Sequence, residues 1–131
     1  MRVRFVESPE GQELPFIAMK LHSVRGERVP QRMLYPSAEM LARAIAEVPE
    51  GERSDLVSIR AKLAAEYGAE ATCPVTTQRQ VALVAEAAVA AHAHGAAQVT
   101  PFWRVFDAER PAAKRLAGGA DFVEARQREE G

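Results

Sequence analysis

The chain has a single cysteine, Cys73, which excludes an internal disulfide and any multi-thiolate metal site within one chain. Histidine is scarce too. Of His22, His92 and His94, the last two stand two residues apart, and on a helix they point to different faces, so no metal site is expected and no cofactor is implied. Charge of either sign is nearly balanced: 17 basic against 18 acidic residues leave a net charge of -1. Bulk electrostatics therefore do not drive the chain onto nucleic acid or an anionic membrane, and any nucleic-acid site must be a local patch. Long apolar runs are missing. The alanine-rich stretch from Val81 to Ala91 is too short to span a bilayer, and Met1-Arg2-Val3-Arg4 is not followed by a signal-like apolar region, so a cytoplasmic location with no membrane partner is the expectation.

What remains is one globular domain's worth of sequence: 131 residues, 47% hydrophobic, with no repeat and no low-complexity linker. Met1 to Val6 alternates enough to predict a short half-buried strand, closed by Ser8-Pro9-Glu10-Gly11. A second apolar segment runs from Leu14 to Leu21 into a charged turn at Arg25-Gly26-Glu27-Arg28. The middle predicts helices. Ser37 caps a first one carrying Met40, Leu41, Ala44, Ile45 and Val48, ended by Pro49-Glu50-Gly51. A second starts near Ser54 or Asp55 and places Leu56, Ile59, Leu63 and Tyr67 down one face, with Gly68 at its left-handed cap. A third follows Pro74, with Thr77 and Gln80 spaced as a capping box, and continues to Gly95. Beyond it the chain reads as extended into Thr100-Pro101-Phe102-Trp103-Arg104-Val105-Phe106. Pro111 and Gly118-Gly119 then mark a loop, and Asp121 with Glu124 predicts a second capping box for a C-terminal helix. The fold class expected is mainly α with a small β part, an α+β domain: residues 1–35 form an N-terminal extension with short strands, and residues 36–131 a domain built round a helix-turn-helix-like pair.

The ordered landmarks carry a resemblance. Val48-Pro49-Glu50-Gly51 stands where the alkylguanine-DNA alkyltransferases (methylated-DNA-protein-cysteine methyltransferases) have an Ile-Pro-x-Gly turn; Val57 to Ala64 where they have a Ser-Tyr-x-x-Ile-Ala helix; Pro74 to Val81 where a proline precedes an Arg-Ala-Val recognition helix. Pro101-Phe102-Trp103-Arg104-Val105 aligns with Pro-Cys-His-Arg-Val, Gly118-Gly119 with a Gly-Gly turn, and Glu130-Gly131 with a terminal Glu-Gly. Over residues 36 to 131 the chain thus resembles the winged-helix DNA-binding domain of that family, and more closely its alkyltransferase-like relatives that lack the acceptor cysteine. It also looks like small bacterial relatives that share Cys-Pro-x-Thr-Thr and Thr-Pro-x-Trp-Arg segments, here Cys73 to Thr77 and Thr100 to Arg104.

The resemblance implies fold and binding but not the family's chemistry. An alkyl acceptor must be a thiolate with a proton relay, and Phe102 and Trp103 stand where the cysteine and histidine would be. No catalytic residue is therefore assigned, and the tyrosine that the family uses on the target phosphate is replaced near Ser58 or Ile59. The implied DNA contacts are Thr76, Thr77, Gln78 and Arg79 at the start of the third helix, where backbone amides and the helix dipole favour a phosphate. The implied base pocket is Phe102, Trp103 and Arg104, with stacking on an aromatic worth roughly 1 to 3 kcal/mol per base. Beside these stand plainer readings: Phe102 and Trp103 as core, Arg104 as held by internal hydrogen bonds, Arg79 as a solvated helix residue, Thr77 and Gln80 as caps, Cys73 as a buried inert thiol.

Three functions are consistent with this reading. The first is a non-catalytic protein that binds double-stranded DNA, with alkylated guanine as the candidate lesion and a repair protein as the candidate partner. The second is an alkyl or redox acceptor enzyme that uses Cys73. The third is a protein-interaction module that kept the fold without DNA binding.

Overall fold

The computed structural model describes residues 3–107 and 111–131 and has an α+β architecture. Strands β1 (Phe5–Val6), β2 (Phe16–Val24), β3 (Glu27–Tyr35) and β4 (Ala71–Thr72) form one mixed sheet in sequential order. Helices α1 (Ala38–Ala46), α2 (Leu56–Glu66), α3 (Pro74–Ala93), α4 (Pro111–Lys114) and α5 (Gly119–Glu130) follow, with a 3-10 turn at Phe102–Val105 before α4.

β2 and β3 pair antiparallel along all nine residues of each. They are far longer than the short strands expected. Arg25 and Gly26, at φ 53° and 84°, make the two-residue turn whose twist matches the strands it joins. β1 pairs parallel with β2 only at Ile17 and Ala18, and β4 parallel with β3 only at Met33 and Leu34. The four-stranded part of the sheet is therefore confined to its inner end, and the outer hairpin stands as a two-stranded ribbon. Burial is confined to that inner end and covers both faces there, and side chains opposite one another in an antiparallel pair share a face. Ile17 and Leu34 face the helices, while Phe16, Ala18, Met33 and Tyr35 pack on the other face with Cys73. Phe16 and Tyr35 stack there at 4.6 Å.

The main core gathers Ile17 and Leu34 with Met40, Leu41 and Ile45 of α1, Ile59 and Leu63 of α2, Val81 and Val84 of α3, Phe102 and Trp103, and Val123 of α5. Two caps fall where expected: Met40 N donates to Ser37 Oγ, and Ser58 N to Asp55 Oδ1. Gly68 follows α2 at φ 72°.

Three expectations are corrected. The Thr77–Gln80 capping box does not form, because α3 begins four residues earlier, with Pro74 in its first turn and the Cys73 thiol, at the N-cap, accepting from Thr76 N. Thr77 lies inside the helix, and its hydroxyl donates to Cys73 O at 2.7 Å. The Asp121–Glu124 box is likewise absent: α5 starts at Gly119 behind a left-handed Gly118, and Glu124 pairs with Arg128 one turn on. The stretch from Phe102 to Val105 is a 3-10 turn rather than extended chain.

Gly118 adopts φ 79°, and a Cβ there would come within 2.8 Å of Phe122 Cβ. Gly119, at φ 65°, has open space around it. Gly118→Ala should therefore destabilise the fold by about 2 kcal/mol, from backbone strain and displacement of Phe122 together, whereas Gly119→Ala should cost about 1 kcal/mol from the backbone alone. Urea midpoints at unchanged m-value measure both; equal losses would show that the Phe122 contact contributes nothing.

Candidate nucleic-acid interface

Side-chain hydrogen bonds fasten the 3-10 turn to two other parts of the chain. Arg104 Nε and Nη2 donate to both carboxylate oxygens of Glu130, with the Nη2 to Oε1 contact at 2.7 Å, and Nη1 donates to Val48 O at 2.7 Å. Ser54 N donates to Arg104 O, and the Gln127 amide donates to Trp103 O and Phe106 O. One guanidinium thus ties the turn to the last turn of α5 and to the loop between α1 and α2. Both partners are largely shielded, with side-chain exposures of 14% and 13%, so the bidentate geometry acts in a medium where charge-assisted hydrogen bonds are strong.

That pairing dictates the protonation of Glu130. Its carboxyl lies below the ordinary 4.5 chiefly because Arg104 donates hydrogen bonds to the charged form, against the opposite pull of burial. The Trp103 indole, the Arg104 charge and the Gly51 backbone N–H add to the lowering. The indole contributes attraction without reaching hydrogen-bond geometry, which leaves Trp103 Nε1 buried and short of a full partner.

Phe102 and Trp103 are 0% and 3% exposed. Phe102 stacks on Phe122 at 5.7 Å with planes 7° apart, and Trp103 meets both rings edge-on. The Arg126 guanidinium lies 4.8 Å from the Trp103 ring centre. Phe102 therefore sits in the core. Trp103 and Arg104 contribute to the wall of an open depression of about 590 Å³, together with Glu50, Gln98, Arg126 and Glu130. All three nitrogens of the Arg104 guanidinium are already engaged within the protein.

The four residues singled out on α3 divide. Thr77 points into the core, Thr76 is half-buried with its backbone N–H on Cys73 Sγ, and Gln78 and Arg79 are exposed. Gln78 and Arg79 line a mainly apolar cleft of about 340 Å³ with Leu56, Val75, Val81, Phe106, Arg115 and Leu116. The cleft's volume falls within the range of about 300–1,000 Å³ usual for ligand sites. From α2 it takes Leu56, two positions before the residues expected to replace the family's tyrosine; Ser58 is exposed at the helix start and Ile59 is buried. Arg79 and Arg115 make no ion pair or side-chain hydrogen bond with any described residue.

Sequence reasoning did not find this cleft, because its lining comes from α2, α3, α4 and Phe106, which no local spacing connects. The phenylalanine-tryptophan pair, which it did single out, does not line the cleft but packs in the same core as its Val81, Phe106 and Leu116. Cys73 is 4% exposed at the start of α3. Among the described residues no cluster of metal-ligating side chains occurs, and no helix is long and apolar enough to cross a membrane.

A carboxyl with a lowered folded pKa contributes stability that is complete above its unfolded value and is lost as the pH falls through the folded one. For Glu130 that window opens near pH 4.5 and extends below it. Arg104→Met should destabilise the fold by about 3 kcal/mol at neutral pH by stranding a shielded carboxylate. The stability gap between wild type and Glu130→Gln should narrow as the pH is lowered through that window, as measured by urea unfolding in a pH series; a constant gap would deny the pair its role. Comparison of the chain with family models, with curated proteins and with solved structures found no match.

Proposed function

We propose that this protein is a non-catalytic binder of duplex DNA, in which α2 and α3 act as the helix pair of a winged-helix-like domain. The start of α3 approaches the phosphate backbone, and the cleft beside Arg79 receives a displaced base. The observation that carries this reading is the pair of unengaged guanidinium groups, Arg79 and Arg115, on one apolar cleft next to a helix N-terminus. On α1, α2 and α5, by contrast, exposed cations are neutralised by neighbours: Arg43 by Glu39, Lys62 by Glu47, Arg128 by Glu124. A cation left free in a surface otherwise rich in such pairs has its charge available to an anionic partner. Leu56, Val75, Phe106 and Leu116 give a base's flat faces an apolar lining, and Gln78 offers both a donor and an acceptor.

In this reading Phe102, Trp103 and Arg104 form the support behind the cleft rather than its wall. Absence of the family's cysteine and histidine is compatible with recognition without alkyl transfer, and alkylated guanine is the lesion that the resemblance suggests. Burial of Cys73, with its sulfur turned to Thr76 N, weighs against an acceptor role for it, since a thiolate nucleophile has to meet its substrate.

Two measurements test the proposal. Fluorescence anisotropy with a labelled duplex should show binding that weakens with salt, and Arg79→Ala should lower the slope of log K against log salt by about 1. Absence of binding at low salt to both plain and alkylated duplex would rule the reading out. The intact mass should be unchanged after incubation with a duplex that contains methylated guanine; a gain of one methyl group that disappears in Cys73→Ser would replace it with the acceptor enzyme.

A further inference from the structure

The outer β2–β3 hairpin has no part in the cleft or the core. From the Met19–Arg32 pair to the Val24–Glu27 pair it runs six residues per strand, roughly 20 Å, with no other strand beside it among the described residues. Every residue from Met19 to Pro30 is exposed, including Met19, Leu21, Val24 and Val29. Its base is fastened: Arg32 N donates to Glu70 Oε1, Glu70 N to Arg32 O, and Arg32 Nε to Gly68 O, with the guanidinium over Phe5. A two-stranded ribbon is marginal alone in water, and four exposed apolar side chains on one are costly to solubility, so the length of this one calls for a partner.

The charge says what kind. Residues 19–32 hold Lys20, Arg25, Arg28 and Arg32 against one acid, Glu27, a local charge of +3 in a chain whose total is -1. Arg32 is occupied at the base. Lys20, Arg25 and Arg28 make no ion pair or side-chain hydrogen bond with any described residue. Opposed residues share a face, so Ser23–Arg28 puts a cation on one face, Lys20–Gln31 a cation on the other, and Arg25 one at the tip. Free cations on both faces and the tip suit an array of phosphates that lies around the ribbon, and a two-stranded ribbon is of a width that a DNA groove admits. Pro30 on β3 and Lys20 on β2 blunt the open edges against pairing with another strand.

We propose that the β2–β3 ribbon is a DNA-binding arm that contacts the phosphate backbone through Lys20, Arg25 and Arg28, independently of base sequence. This rests on the reading that the chain binds duplex DNA, and it adds a second contact surface to the cleft at α3.

The test compares the full-length wild type with Lys20→Gln/Arg25→Asn/Arg28→Gln, with Arg79→Ala/Arg115→Ala, and with Glu27→Lys, by anisotropy on a labelled duplex of about 20 base pairs between roughly 50 and 200 mM salt. Asparagine at position 25 tolerates the left-handed backbone there, and thermal unfolding checks that each variant folds. The expected result is a salt slope lower by roughly 2 to 3 in the ribbon variant and higher by about 1 in Glu27→Lys. An unchanged slope in both overturns the arm, and does so without touching the cleft if Arg79→Ala/Arg115→Ala still weakens binding. A ribbon effect with no cleft effect upholds the arm and overturns the cleft reading. No binding by the wild type overturns both. Should poly-glutamate compete as well as unlabelled duplex at equal charge, the ribbon is a surface for acidic proteins and the arm is overturned.

Discussion

Much of the helical half depends on one ion pair. Arg104 and Glu130 stand 26 residues apart, and their contact fixes the 3-10 turn against the end of α5 while Arg104 Nη1 holds Val48 O. Taking two charges out of water is costly, and here the cost is offset by bidentate geometry with further hydrogen bonds to the guanidinium. The return is positional. The α1–α2 loop, the 3-10 turn and the C-terminal turn are brought to one point by a contact that no apolar pair of similar size provides with the same directionality.

What this point supports is the aromatic group. Phe102, Trp103 and Phe122 pack ring on ring beneath the turn, with Gly118 needed at a left-handed angle so that Phe122 reaches its place. The Gln127 amide spans Trp103 O and Phe106 O, so the same support that seals the tryptophan also sets the chain direction at Phe106, and Phe106 lines the cleft. Two aromatic residues that look in the sequence like a reading pocket thus influence the cleft through the backbone they anchor.

Local signals were legible and long-range ones were not. Ser37 and Asp55 cap helices because a short polar side chain followed by the right periodicity is a matter of three or four residues. Thr77–Gln80 and Asp121–Glu124 satisfied the same local pattern and were overruled by stronger neighbours: Pro74 fits the first turn of a helix capped by Cys73, and Gly118 turns the chain into α5 before Asp121 is reached. The length of β2 and β3 was hidden for a different reason. A ribbon exposed on both faces has no buried side, so it lacks the apolar alternation by which strands are recognised. The candidate site suffered most. Arg79 was visible from its place in a helix start, but Leu56, Phe106, Arg115 and Leu116 meet it only after four elements have packed.

Near-neutral composition argued against bulk attraction to DNA, and the structure gives that statement its proper scale. Exposed cations on α1, α2 and the end of α5 face carboxylates on the same or an adjacent element, so they contribute little field at a distance. Arg79 and Arg115 beside the cleft, and Lys20, Arg25 and Arg28 on the ribbon, make no ion pair with a described residue. At physiological salt the field of an exposed charge fades over about 8 Å, so a partner feels the cations it touches and not the total. A chain with a charge of -1 can therefore present two cationic surfaces, provided that its acids lie away from them, as Glu39, Glu47 and Glu124 do in their ion pairs with Arg43, Lys62 and Arg128.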